Sequence, residues 1–351
     1  MRRQTLSVVL LALVAALVLA ACGSDDGDDA AAPTTTSTEQ GVETLRVGLI
    51  TDLGQLDDDG FNELAYRGLI RAEKEIGIKG RVIESASAAD YIPNMTSLAR
   101  QGYDLIIGVG FAQGEAVGKV AQRFPKVNFA IIDVDQAFVP GKPANVQGLL
   151  FREEEVGYLV GYLAALAEKR RPGADVISAV GGMKEPPVDR FIAGYRAGAE
   201  KASPGVKLLL DYSQDWDDQA KCKELALNQI ARGSGVVFQV AGGCGLGALN
   251  AAGERDRWGI GVDADQSFLG DHILTSAQKG VDAAVFLTIE SLLDGEFKGG
   301  GNSTFGLKED GVGLGKVSPQ VPKADVEQVE EIEQQIASGE ITGIPTEVGK
   351  S

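Results

Sequence analysis

The chain has 351 residues, 44% of them apolar and 6% aromatic, with a formal net charge of -17. That is enough chain for two domains with their own cores, and acidity without a basic stripe excludes a nucleic-acid surface. A single histidine, His272, rules out a multi-histidine metal site, and any Ser-His-Asp or Cys-His nucleophile would depend on that one ring. His272 stands just before Ile273 and Leu274, at a strand entrance, and reads as structural.

Arg2 and Arg3 precede the apolar run Leu6–Ala21, which is short for a bilayer span and ends in small residues, as a signal peptide over 1–21 does. The run closes in Leu19-Ala20-Ala21-Cys22, which resembles a bacterial lipobox, where the cysteine thiol is acylated and becomes the new N-terminus. Cys22 is then a lipid anchor on the extracytoplasmic face of the cell membrane; the plainer alternative is a secretory signal with a chance cysteine. Gly23–Thr44 is small, acidic and Thr-rich without apolar periodicity, so 22–44 reads as a disordered tether.

From Leu45 strands and helices alternate. Apolar runs at Leu45–Ile50, Val82–Ile83, Leu105–Val109, Phe129–Ile132 and Val146–Leu150 read as buried parallel strands, with helices over Asn62–Ile76, Tyr91–Gln101 and Gly114–Arg123 between them. Glu153–Lys169 is a helix with acids at its start and bases at its end, matching its dipole, and Pro172-Gly173 stops it. A second set follows: strands Val176–Val180, Val206–Leu210, Gly235–Val240 and Trp258–Val262, helices Val188–Ala202, Gln219–Arg232 and Leu246–Glu254. Ile273–Ser276 and Lys279–Leu293 add a strand and a helix, and the tail holds Gly-rich pieces and a helix over Ala324–Ser338. Two alternating sets without a long linker predict an α/β protein of two doubly wound, Rossmann-like lobes joined by a hinge, with a cleft between them.

In such sheets ligands bind beyond the carboxyl ends of the strands. The turn Thr51–Asn62, TDLGQLDDDGFN, delivers Asp52, Phe61 and Asn62 there, a ring and an amide suited to a flat heteroaromatic ligand; the bland alternative is that Asp58 or Asp59 caps the helix and Phe61 fills core. Asp52, Asp133 and Asp263 each follow a strand, and carboxylates at one rim can accept paired hydroxyls of a sugar. Trp216 sits in a polar turn among acids, and Phe191 lies mid-helix, where lining a pocket and packing a core are both open. Two glycine-rich turns, Gly108–Gly114 and Gly242–Gly247, allow close approach of backbone to a ligand, but no GxxxxGK[ST] occurs, so the chain is not itself an ATPase. Cys222, on a helix, and Cys244, on the second glycine-rich turn, are either a disulfide or two buried thiols.

These motifs together resemble the basic-membrane-protein family of lipoproteins, the purine-nucleoside receptors of bacterial ABC importers. The resemblance is carried by TDLGQLDDDGFN with Gly68, FAIID ending at Asp133, VGGMKEPPVDRFIAGYRAG around Phe191, DWDDQAKCKELALNQIARG, VFQVAGGCGLG, GVDADQ at Asp263 and TSAQKGVDAAV with Lys279. It implies a type I periplasmic-binding-protein fold whose cleft closes on a nucleoside. Position by position, Phe61 and Trp216 would sandwich the purine with Phe191 beside them, and Asn62 and Asp133 would hydrogen-bond the base. Asp263 and Lys279 would hold the ribose, Gly242 would let backbone approach, and Asp52 would support base or sugar.

The expected protein is a lipid-anchored monomer without enzymatic activity, cofactor or metal, handing a nucleoside to separate ABC permease and ATPase subunits. The lobes are expected at 45–150, taking back 272–299, and at 151–271, taking back 300–349. The alternatives are a sugar receptor of the same fold, a secreted nucleoside hydrolase using the acids, and a sensor or adhesin.

Overall fold

The computed structural model describes residues 44–173 and 175–349. The expected signal peptide, Cys22 and the tether up to residue 43 lie outside the described residues.

The first half runs β1 (Arg46–Ile50), α1 (Phe61–Glu75), β2 (Lys79–Ile83), α2 (Tyr91–Arg100), β3 (Leu105–Gly108), α3 (Gly114–Arg123), β4 (Asn128–Ile132) and β5 (Val146–Phe151). The second runs α4 (Glu153–Glu168), β6 (Val176–Gly181), α5 (Pro186–Ala202), β7 (Lys207–Tyr212), α6 (Gln219–Ala231), β8 (Val236–Val240), α7 (Gly242–Glu254), β9 (Trp258–Asp263) and β10 (Ile273–Lys279). The tail adds α8 (Val281–Leu293), β11 (Asn302–Phe305), β12 (Val312–Leu314) and α9 (Lys323–Ala337).

Two six-stranded sheets result, in the orders β11-β5-β4-β3-β1-β2 and β12-β10-β9-β8-β6-β7. All pairings are parallel except β12 on β10. Every residue of β3, β6 and β8 is buried, because helices cover both faces of such a sheet. This is the two-lobed, doubly wound architecture expected from the alternation.

The allocation of the tail is corrected. β10 does not return to the first sheet: it pairs with β9, with Gln278 opposite Asp263, and with β12. Its buried run Ile273–Ala277 thereby gains a strand on either side. What crosses over is the segment after it. α8 packs on α1, where a Cβ at Gly68 would stand 2.4 Å from the Asp282 carbonyl, so only glycine allows that approach. β11, expected in the second lobe, pairs with β5 in the first sheet.

Two helix starts also move. α7 begins at Gly242 rather than Leu246, so the glycine-rich turn is its first turn; Lys279 ends β10 rather than opening α8.

α4 and α5 form the tightest helix pair. Cβ atoms at Gly157, Gly161, Gly194 and Gly198 would all lie within 2.3 Å of the partner helix's carbonyl oxygens, so the backbones touch. That contact fixes two N-terminal ends, one carrying Glu153 and the other preceded by Glu185. Cys222 of α6 and Cys244 of α7 are joined in a disulfide with Cα atoms 5.6 Å apart. His272 packs its ring against Gly253 and Gly270, away from the site described next, as a structural residue. No helix among the described residues is long and apolar enough to cross a membrane.

Candidate functional site

The carboxyl ends of both sheets face one another across a cleft. After β1, the backbone N–H of Asp52 donates to Asn62 Oδ1 at 3.0 Å, which turns the Asn62 amide and leaves its Nδ2 as the donor for a ligand. The Tyr91 hydroxyl donates to Asp52 Oδ1 at 2.6 Å, and the Leu53 N–H donates at 2.7 Å. Burial pushes the Asp52 carboxyl up to about 6, against the pull of those two donors, and the Asp133 charge adds to the rise. Asp58 accepts the N–H groups of Gly60, Asn62 and Glu63 at 2.9–3.1 Å. The helix-capping reading of that acid therefore holds, while its neighbours Phe61 and Asn62 open onto the cavity.

Asp133 and Asp263 hold equivalent places. Each lies at the end of the fourth strand of its sheet in chain order, with φ of +70° and +62°. That left-handed conformation is one Asp tolerates better than most residues. The turns that follow repeat in sequence, DVDQAF at Asp133–Phe138 and DADQSF at Asp263–Phe268, and each enters a short 3-10 helix. This repeat was visible in the sequence, but only the strand equivalence gives it meaning.

Lys279, at the end of β10, is the hub. Its Nζ lies 2.7 and 2.8 Å from the two Asp133 oxygens of the first lobe and 2.9 Å from Glu153 Oε1 at the start of α4. It also sits 4.8 Å from the Phe151 ring centroid and 5.1 Å from that of Phe61, within cation–π range. Burial pulls the ammonium down, but Asp133, Glu153 and Asp263 outweigh it and hold its pKa above the ordinary value. Burial likewise raises Glu153 despite Lys279. It pushes Asp263 up to about 7, with Lys279 opposing and Asp58, Asp133 and Glu153 adding to the rise. A buried carboxylate of this kind is costly to leave without hydroxyl or cationic partners.

One aromatic ring comes from each lobe. Phe61 opens α1, and Trp216 lies in the turn before α6. The Trp216 ring rests on backbone: a Cβ at Gly182 would be 2.2 Å from its Cζ3. A Cβ at Gly242, whose φ is +54°, would stand 3.4 Å from Trp216 O, and the Cys244 N–H donates to the same oxygen at 2.9 Å. The lobes also touch through Gln266 Nε2, which donates to the Asp59 carbonyl at 3.2 Å. Phe191 does both things left open for it. It is 2% exposed, packs edge-on to Phe238 at 6.2 Å, and still lines the cleft.

All nine residues singled out in the sequence, Asp52, Phe61, Asn62, Asp133, Phe191, Trp216, Gly242, Asp263 and Lys279, line one cavity of about 640 Å³ counted out to its mouth. Glu185, which the sequence does not mark, lines it too, as do Asp58, the helix cap, and Gly110 of the first glycine-rich turn, while Glu153 stands behind Lys279. In the sequence Glu153 reads as one of three acids complementing the helix dipole, and nothing local separates it from Glu154 and Glu155. Gly110, with φ of +103°, is required because a Cβ there would lie 2.0 Å from Asp52 Oδ2. Among the described residues no cluster of His, Cys, Asp and Glu has the arrangement of a metal site.

A family profile described as "ABC transporter substrate-binding protein PnrA-like" matches residues 45–345. The chain is 36% identical over 293 residues to the "ABC transporter nucleoside-binding protein BmpA" of Lactococcus lactis, covering 77% of this chain and 81% of that one. It is 34% identical over 319 residues to the "CD4+ T-cell-stimulating antigen" of Listeria monocytogenes, covering 84% and 87%. A solved solute-binding protein of an ABC transporter system from Aeropyrum pernix is 30% identical, with a TM-score of 0.76 over 86% of this chain and 94% of that one. With most of its length matched, the chain belongs to the basic-membrane-protein (Bmp) family of PnrA-like ABC transporter substrate-binding proteins.

Proposed function

We propose that the protein is a lipid-anchored receptor that captures a purine nucleoside between its lobes and delivers it to an ABC permease and its ATPase. The observation that carries this reading is a single cavity holding one aromatic ring from each lobe, Phe61 and Trp216, beside an acid–ammonium cluster. A base stacks on aromatic faces at about 1–3 kcal/mol each. Asn62 and Asp133 supply donors and acceptors for its edge, and Asp263 and Lys279 face the pentose hydroxyls. The nucleoside-binding relative from Lactococcus lactis supports the same ligand class.

Contact with both lobes makes the ligand favour the closed arrangement, so binding shifts the open–closed equilibrium toward the form a permease can recognise. No bond of the ligand need break, and the reading is of a monomeric receptor rather than an enzyme. Cys22 as the acylated residue, after a signal peptide over 1–21, would hold it on the extracytoplasmic face, with 22–44 as the tether.

Calorimetric titration with adenosine, guanosine, inosine and ribose tests the ligand. Nucleosides are expected to bind far more tightly than ribose; ribose binding as well as they do would turn the reading into a sugar receptor. Free base accumulating in proportion to protein would make it a hydrolase. For the anchor, Cys22→Ser is expected to release the protein from the membrane fraction.

A further inference from the structure

The acids around the cavity differ in how they are partnered. Asp52 has Tyr91, Asp58 has three backbone amides at the start of α1, and Asp133 and Glu153 share Lys279. Lys279 also attracts Asp263. Glu185 stands apart. It precedes α5 in extended conformation, and its carboxylate takes no hydrogen bond from the helix amides. The neighbouring cation, Lys184, is turned to Asp189 at 2.7 Å. Among the described residues Glu185 has no ion-pair partner, yet it lines the cavity. Burial pushes it up to about 7, and the charges that reach it, Asp52 and Asp133 of the other lobe, raise it further.

Lys279 pairs with Asp133 and Glu153, and no ion pair joins it to Glu185 among the described residues. Glu185 lies three residues beyond Gly182, the backbone on which the Trp216 ring rests, and lines the same cavity as Asp52, whose N–H orients Asn62. That places it on the wall that carries the Trp216 ring.

We propose that Glu185 is a specificity-determining residue that reads the edge of the bound ring, accepting paired N–H donors and favouring a 2-amino-6-oxopurine nucleoside such as guanosine. The inference rests on the nucleoside reading of the same site. Once ionised, above about pH 7, the Glu185 carboxylate has two acceptor oxygens and no donor. Ring N1–H and a 2-amino group present two parallel donors, matching it in a charge-assisted, two-point contact. Inosine offers only N1–H. Adenosine places the N1 lone pair against a carboxylate lone pair. Sites that hydrogen-bond a ligand group discriminate strongly against its absence, because a buried polar atom is left unpaired. The same donors would relieve the repulsion between Glu185 of one lobe and Asp52 of the other, which favours closure.

The test is calorimetric titration, at about pH 8 where the Glu185 carboxyl is ionised, of the full mature protein and its Glu185→Gln variant with guanosine and inosine. The native protein is expected to prefer guanosine by roughly 10-fold or more, the size of one charge-assisted hydrogen bond. In the variant the guanosine preference over inosine is expected to shrink to within about threefold, since one side-chain oxygen is left to accept N1–H and none to accept the 2-amino group. Glu185→Ala removes both acceptors, so both ligands are expected to weaken while their ratio shrinks in the same way, which keeps the test readable should the amide variant fail to fold. A guanosine-to-inosine ratio equal in native and variant proteins overturns the assignment of Glu185 and leaves the nucleoside receptor intact. A folded native protein that binds no nucleoside overturns both.

Discussion

Replacing Lys279 by methionine keeps the length of the stem and removes the one ammonium shared by three acids. Its Nζ is 2.7 Å from Asp133 and 2.9 Å from Glu153, and the three side chains are 2%, 4% and 1% exposed. Solvent therefore cannot take over when the cation goes. Breaking a buried pair from one side costs about 3–5 kcal/mol, because the remaining charge is uncompensated. At ~2–4 °C per kcal/mol for a chain of this size, Tm should fall by roughly 6–20 °C. The loss must also depend on pH. Glu153 and Asp263 are already raised by burial with Lys279 opposing, so removing Lys279 raises them further. The folded state then holds protons that the unfolded state has released. Between the unfolded carboxylate value and the raised folded one, stability falls as pH rises. Scanning calorimetry at about pH 8 and about pH 5 should show a large deficit at the first and a smaller one at the second. A Tm within about 2 °C of the native value at the higher pH, or equal deficits at both, would refute the hub role.

Trp216→Ala removes one ring of the proposed clamp; nucleoside affinity should fall by about 5- to 150-fold, from ~1–3 kcal/mol of stacking, with Tm little changed. Affinity within about twofold of native would count against the clamp. Asp263→Asn keeps a residue that accepts φ of +62° and removes a carboxyl pushed up to about 7. A raised folded pKa costs stability above the unfolded value, fully so once pH exceeds the folded one. The variant's Tm relative to native should thus be more favourable near about pH 8 than near about pH 5, while pentose binding weakens. A pH-independent difference in calorimetry refutes that account. Reducing the Cys222–Cys244 bond opens a loop spanning 22 positions. It should cost about 3 kcal/mol by the loop-entropy relation, read as a lower Tm with reductant. It should also weaken binding, since the Cys244 N–H holds the Trp216 carbonyl; no change in either would show that the bond is not formed or does not support that wall.

The alternation of apolar runs and amphipathic helices was enough to predict two doubly wound lobes, because burial on both faces of a parallel strand leaves a continuous local mark. The same rule placed Asp52, Asp133 and Asp263 at strand ends, and quoted motifs pointed to Phe61, Asn62, Phe191, Trp216, Gly242 and Lys279. Tertiary structure alone decided the rest, since it depends on partners far apart in the chain. Lys279 reads as a helix start until β9 and β12 take β10 between them. Asn302–Phe305 reads as second-lobe tail until it pairs with β5, more than 150 positions earlier. Glu153 looks like an acid placed for a helix dipole until the glycine contact between α4 and α5 sets its helix end, and Lys279 lies 2.9 Å from its carboxylate. Glu185 carries no local signature: an unpaired carboxyl becomes meaningful only when the fold sets it in the wall of a cavity shared with Asp52 and Asp133 of the opposite lobe. Local periodicity records which face of an element is buried; which charges meet across a cleft is set by the packing of distant elements.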